Sequence, residues 1–121
     1  MIMDNYISWG RYIFQKRRKK NRSLRSVAEQ IGISAVYLSK MENGKKTNPS
    51  REIMQKLIDI LCLSEGETAL FYDLHAKAND VISQDLPEYI MSSDIARKAL
   101  RKAKKKPATD EDWQGLIDKL E

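Results

Sequence analysis

The sequence predicts an all-α fold, with five helices forming a core and about three short helices following at the C-terminal end. Apolar residues recur at i, i+3 or i+4 and i+7 along most of the chain. No stretch sustains the period-two alternation of a half-buried strand. Ser, Thr, Asp, Gly and Pro fall at the ends of the periodic segments, where helix caps and breaks require them.

The first helix is read over residues 5–20. Tyr6, Trp9 and Ile13 turn inward, Phe14 is a further candidate, and the helix ends in KRRKKNR, too charged to bury. Ser23 then caps a second helix whose stripe is Leu24, Val27, Ala28 and Ile31. Gly32 ends it, because glycine takes a left-handed cap without a Cβ penalty. After Ile33 the Ser34 hydroxyl caps a third helix, which turns Leu38 and Met41 inward together with either Val36 or Tyr37. Ala28, small at the crossing point, lets the two axes approach. Residues 43–50, NGKKTNPS, read as a connection, and Pro49 or Ser50 starts a fourth helix that runs to about Leu61.

Ser64 and Glu67 form a capping box that opens a fifth helix, with Leu70, Phe71, Leu74, Ala78, Val81 and Ile82 along its seam. Asp85, Pro87 and Glu88 signal another start, followed by Tyr89 and Ile90 and interrupted at Ser92 and Ser93. Ile95, Ala99, Leu100 and Ala103 give a narrow seam on a helix otherwise nearly all Arg and Lys. Pro107 stops it. Thr109 with Asp112 caps a last helix bearing Trp113, Leu116, Ile117 and Leu120. The organisation expected is a domain over residues 1–79 and a helical extension over 80–121.

The chain has 121 residues, 41% of them apolar, the size of one ordinary domain. Its net charge of +5 hides an asymmetry: residues 1–51 hold 12 Lys+Arg against 3 Asp+Glu, whereas residues 52–121 hold 10 against 14. A basic half of this kind favours a polyanion through counterion release, without reading sequence. Cys62 stands alone, so no internal disulfide is possible, and its place between Leu61 and Leu63 reads as core packing. No 18-residue apolar stretch and no signal-peptide core is seen, so a cytoplasmic protein without membrane contact is expected. His75, beside Leu74, is the only histidine and is read as structural or surface. With no metal spacing, no Gly-rich phosphate loop and no nucleophile–base arrangement, neither a cofactor nor an enzyme is expected.

Residues 23–44, SLRSVAEQIGISAVYLSKMENG, carry the functional signal. Two short helices joined by a three-residue turn cross steeply, which pushes the second outward so that it can lie in a DNA major groove while the first crosses the backbone. Residues near the start of that second helix reach deepest, making Ala35, Val36, Ser39 and Lys40 the candidates for base contact. Ala35 and Val36 offer apolar surface to a thymine methyl, Ser39 pairs with several edges, and Lys40 can donate to guanine. Phosphate contacts are assigned to Ser23, Arg25 and Ser34 near helix N-termini, and to Tyr37, Asn43, Lys45, Lys46 and Thr47. Tyr37 could equally lean on the fold. Arg18, Lys19, Lys20 and Arg22 add to the positive field or are simply solvated.

Ala28, Gly32, Ile33, Ser34, Leu38, Met41 and the run Glu42, Asn43, Gly44, Lys45, followed by Pro49, resemble the phage repressor/Cro (XRE) class of bacterial helix-turn-helix regulators. The resemblance covers roughly residues 9–74, with Trp9, Gly10, Ile13 and Arg17 upstream and Ile53, Leu57, Ile58 and Leu61 downstream. It implies a repressor-like five-helix core, binding to double-stranded DNA and transcriptional regulation, most simply as a repressor. It also implies that Arg17 and Glu42 form an ion pair between the first and third helices. Phage repressors often carry Gln where this chain has Ala35 and Val36, a departure that shifts readout toward methyl contacts or DNA shape.

One helix-turn-helix seldom binds tightly, so a homodimer is expected, with recognition helices about 34 Å apart. The C-terminal helices either pack back, form that two-fold interface, or bind another protein, as in an antitoxin-like partner. The basic run over residues 97–106 is read as a solvated helix face, with added DNA contact as its alternative.

Overall fold

Serine hydroxyls open the first five helices. The computed structural model describes residues 7–121. In it Ser8, Ser23, Ser34, Ser50 and Ser64 precede α1 (Trp9–Lys19), α2 (Leu24–Ile31), α3 (Ala35–Glu42), α4 (Arg51–Ile60) and α5 (Glu65–Asn79). Each hydroxyl accepts the backbone N–H three residues on, at 3.0–3.2 Å, satisfying one donor that the helix itself leaves orphaned. The Ser64–Glu67 capping box is complete, since the Glu67 carboxylate also accepts the Ser64 N–H at 2.9 Å.

The same five helices end alike, on a left-handed residue: Asn21, Gly32, Gly44, Cys62 and Asp80. In each case the next N–H bonds back five residues, as from Ile33 to Ala28 and from Lys45 to Lys40, closing the last turn. This corrects the sequence reading of Cys62 as a core residue. At φ 51° its side chain is turned outward and exposed, while Leu61 before it is buried. The fifth helix is also shorter than its apolar spacing suggests. It stops at Asn79 with Ala78 exposed, and Val81 and Ile82 lie beyond its end, exposed. Ser83 takes the inward position instead, buried and donating to the Asp73 carboxylate. The first helix starts at Trp9 because Ser8 caps it there; the predicted contributions of Asn5 and Tyr6 lie outside the described residues.

The core is built from Trp9, Ile13, Val27, Ile31, Leu38, Met41, Met54, Leu57, Leu61 and Phe71, all essentially without solvent contact. Packing joins α1 to α3, α2 to α3, α2 to α4 and α1 to α5. The closest joint is between α1 and the end of α3. A Cβ placed on Gly10 would lie 2.3 Å from the Met41 carbonyl oxygen and 2.6 Å from that of Glu42, so only hydrogen fits. Phe14, half-buried, serves the surface: the guanidinium groups of Arg11, Arg17 and Arg18 lie 5.0, 5.4 and 5.7 Å from its ring centre.

α1 and α5 meet through polar contacts as well. Lys16 Nζ lies 2.5 Å from the Glu67 carboxylate, and the Tyr12 hydroxyl donates to the Glu67 carbonyl at 3.1 Å. The Lys16 hydrogen bond, with a further one from the Ser64 backbone, holds the Glu67 carboxyl down at about 2. His75 is buried, its ring edge-on to Trp9 at 5.2 Å between centroids, and both imidazole nitrogens lack a partner among the described residues. Burial pushes its pKa down, so a neutral imidazole acts as a core filler.

The first compact unit runs through Gln84, past the boundary expected at residue 79, because residues 80–84 turn back through Ser83; Asp85–Glu121 form a second unit. The second contains α6 (Pro87–Ser92), α7 (Asp94–Lys105) and α8 (Asp110–Leu120). Pro87 occupies the first turn of α6, where a missing N–H costs nothing. Arg97 on α7 caps the other end of α6, donating to the carbonyls of Ile90 at 3.0 Å and Met91 at 2.5 Å, and pairs with Asp94. Thr109 and Asp112 complete the capping box of α8, on which Trp113, Leu116, Ile117 and Leu120 are all exposed. Among the described residues every element is helical, and no helix is long and apolar enough to cross a membrane.

Gly10→Ala is expected to cost more than the about 1–3 kcal/mol typical of overpacking, since the clash is with backbone carbonyls that cannot rotate away. Thermal denaturation measures it. Acid should act in two windows. Buried neutral His75 contributes stability that is full above its ordinary 6.5 and falls below it, because the unfolded chain takes up that proton more readily. The Glu67 contribution is full above its ordinary 4.5 and disappears as pH falls toward about 2. Urea titrations across this range should show that Glu67→Gln flattens the lower window and leaves the upper one unchanged.

Candidate nucleic-acid interface

α3 is held from behind and open in front. Leu38 and Met41 are completely buried, and Tyr37 and Ala35 are half-buried against the same core. Val36, one residue away around the helix, is 65% exposed, and Lys40 is exposed beside the half-buried Ser39. The sequence leaves either Val36 or Tyr37 for the inward position; Tyr37 takes it, its ring against the core and its hydroxyl without a partner among the described residues. The outward strip of α3 therefore presents an isopropyl group, a hydroxyl and an ammonium group. Ala35 contributes less than its position suggests, being half-buried against the core.

The N-termini of α2 and α3 carry no acidic residue in their first turns, so no side chain of their own competes for the positive end of either helix dipole. The Ser23 and Ser34 hydroxyls each accept a capping N–H at 3.0 Å, which leaves their own O–H free to donate outward. Arg25 is exposed beside Ser23. Beyond α3 the chain turns at Gly44, and the N–H groups of Lys45 and Lys46 both bond to the Lys40 carbonyl, at 2.8 and 3.2 Å. Asn43, Lys45 and Lys46 are thus fixed at the end of α3, exposed. Thr47 is engaged differently: its hydroxyl donates to Asn79 Oδ1 at 3.1 Å, and Asn79 Nδ2 returns a bond to the Thr47 carbonyl at 2.6 Å. This clamp pins the loop to α5. Nothing in the local sequence pairs residues so far apart, so the role of Asn79 is not legible there.

Arg17 and Glu42 meet in a two-pronged pair, Nε to Oε2 at 2.7 Å and Nη2 to Oε1 at 2.9 Å, with side chains only 8% and 7% exposed. The remaining guanidinium nitrogen, Nη1, donates to the Arg22 carbonyl at 3.0 Å. One arginine therefore ties the end of α3 to α1 and to the turn before α2. Fork-to-carboxylate geometry fixes orientation as well as distance, so the pair sets the angle at which α3 is presented.

The helix-turn-helix family model matches residues 13–67, the segment from the middle of α1 to the first turn of α5. Over this segment the chain resembles the helix-turn-helix family. The domain is similar to the HTH-type transcriptional regulator SlrR of Bacillus subtilis (strain 168), 34% identical over 67 residues, 51% of this chain and 44% of that protein. It is also similar to the HTH-type transcriptional regulators SinR of Bacillus subtilis (strain 168) and Bacillus licheniformis, each 38% identical over 55 residues, 46% of this chain and 50% of theirs. The chain spans about half the length of these curated relatives. A solved structure of a SinR protein/SinI protein complex aligns with 92% of each chain at 25% identity, with a TM-score of 0.46.

Arg17→Ala leaves the Glu42 carboxylate buried without its partner, a destabilisation expected at about 3–5 kcal/mol. Its melting temperature should fall accordingly, whereas Arg18→Ala, on the exposed side of the same helix, should stay near wild type.

Proposed function

We propose that this protein is a sequence-specific double-stranded DNA-binding regulator that represses transcription by occluding a promoter. The observation that carries the reading is the outward strip of α3, with Val36 exposed beside Ser39 and Lys40 while Leu38 and Met41 anchor the opposite face. In this reading Ala35, Val36, Ser39 and Lys40 meet base edges, with Val36 the main partner for thymine methyls and Lys40 for guanine. Ser23, Arg25, Ser34, Tyr37, Asn43, Lys45 and Lys46 hold phosphates, and Arg17 with Glu42 keeps α3 at the right angle. The side chain of Thr47 orders the loop, so its phosphate contact would be made only by its backbone or after release from Asn79.

The protein acts in the cytoplasm as a homodimer, without a cofactor and without catalytic activity of its own. In this scheme the DNA-binding domain expected over residues 1–79 extends to Gln84, and Asp85–Glu121 supply the extension through which copies or partners meet. A second reading draws on α8, whose Trp113, Leu116, Ile117 and Leu120 form an apolar stripe that the second unit leaves exposed. A stripe of that size suits a protein partner, which would make the chain an accessory or antitoxin-like binder.

Salt-dependent binding to DNA upstream of its own gene, exceeding binding to a random duplex, tests the regulator. Lys45→Ala or Lys46→Ala should weaken every duplex equally and make the salt slope shallower by about 1, whereas Lys40→Ala should also relax sequence preference by about 1–3 kcal/mol. A wild-type protein that binds operator and random DNA alike overturns the reading. If the partner reading holds instead, a second chain copurifies, disappears on removal of residues 107–121, and ignores Lys40→Ala.

A further inference from the structure

We infer that the basic face of α7 is a second phosphate-binding surface, one that grips a DNA backbone without reading its sequence. The inference rests on the DNA-binding reading above and adds a contact outside the helix-turn-helix. Lys98, Arg101, Lys102 and Lys105 recur at i, i+3, i+4 and i+7 and together line one shallow concavity on α7. Among the described residues none of the four has an ion-pair or hydrogen-bond partner. The ion pairs among the described residues all use other cations. Lys16 is paired with Glu67, Arg17 with Glu42, Lys56 with Glu52, and Arg97, at the start of α7 itself, with Asp94. After Asp94 the helix carries no further acid, so its cations repel one another along one face with nothing local to neutralise them.

The apolar residues of α7 are Ile95, Ala96, Ala99, Leu100 and Ala103; the last four fall on the side away from the cations, and Ile95 lies at the edge of the basic face beside Lys102. Whatever covers that seam, the cations point away from it and stay available. The seam also decides between occupants. Three of its five residues are alanine and none is aromatic, so with only Ile95 and Leu100 as large side chains it offers less bulk than the Trp-, Phe- and Leu-bearing face with which an interfacial helix enters a lipid surface. A regular anionic rod fits better: the span from Lys98 to Lys105 is about 10 Å, close to three base-pair steps along a DNA strand at about 3.4 Å each.

The test compares full-length wild type with a variant carrying Lys98→Gln, Arg101→Gln, Lys102→Gln and Lys105→Gln, all on an exposed face and all to a good helix former. Binding to a long operator duplex and to a long random duplex is measured over a salt series, with Lys40→Ala alongside. The expected result is a salt slope shallower by about 3–4, since each phosphate that a cation no longer neutralises lowers it by about 0.9. Both duplexes should weaken by the same factor, with operator preference unchanged. An unchanged slope overturns the inference. So does a variant whose slope is unchanged but which no longer binds vesicles of anionic phospholipid, or whose molecular mass in solution falls, results that would assign the face to a membrane or to an acidic protein surface. Failure of the regulator reading looks different: wild type would then show no operator preference, and Lys40→Ala would change nothing.

Discussion

The joint between α1 and the C-terminal end of α3 is the constraint on which the rest depends. Two features make it. Gly10 lets the α1 backbone come so close to the Met41 and Glu42 carbonyls that no side chain could stand between them, and Arg17, two turns on, closes a buried fork on the Glu42 carboxylate. The first fixes distance, the second fixes rotation. A helix of eight residues such as α3 has little stability of its own in water and needs a neighbour to hold its direction. Burying two charges is unfavourable in itself, and their attraction offsets that penalty only when the geometry is good, so what the pair provides is a defined angle more than added stability.

From that joint the other contacts follow as supports. Leu38 and Met41 anchor the back of α3 in the same cluster that takes Trp9 and Ile13 from α1. The turn at Gly44 closes on Lys40, and Asn79 at the end of α5 clamps the loop through Thr47. The exposed strip of α3 is therefore held at its back by the core, at its end by α1 and along its following loop by α5. In the proposed reading such bracing favours binding, because ordering the strip on contact with DNA would otherwise subtract from affinity.

Charge is distributed with the same division. In the first unit the cations nearest the fold are engaged in structure: Lys16 with Glu67, Arg17 with Glu42, Arg22 with the Ser26 hydroxyl. Those at the edge of the helix-turn-helix, Arg25, Lys40, Lys45 and Lys46, stay exposed. The second unit repeats the pattern in miniature, with Arg97 committed to the end of α6 and the later cations of α7 left outward.

The sequence by itself determined the local grammar. Helix starts at Ser23, Ser34, Ser64 and Thr109 were legible because a cap is a contact over three residues, the fourth helix was placed only to Pro49 or Ser50, and apolar spacing marked Leu38 and Met41 as inward because helical period is a local property. The Arg17–Glu42 pair was legible only through likeness to a known class, since no local rule joins residues so far apart. Tertiary structure alone decided the rest. It chose Tyr37 over Val36 for the core, turned Cys62 outward at a left-handed turn despite its leucine neighbours, placed Ser83 inside in preference to Val81 and Ile82, and bound Thr47 to Asn79. The physical reason is common to all four: which side of a residue faces the core depends on how the helix axes cross and where each helix stops, and both are set by contacts between segments distant in the chain.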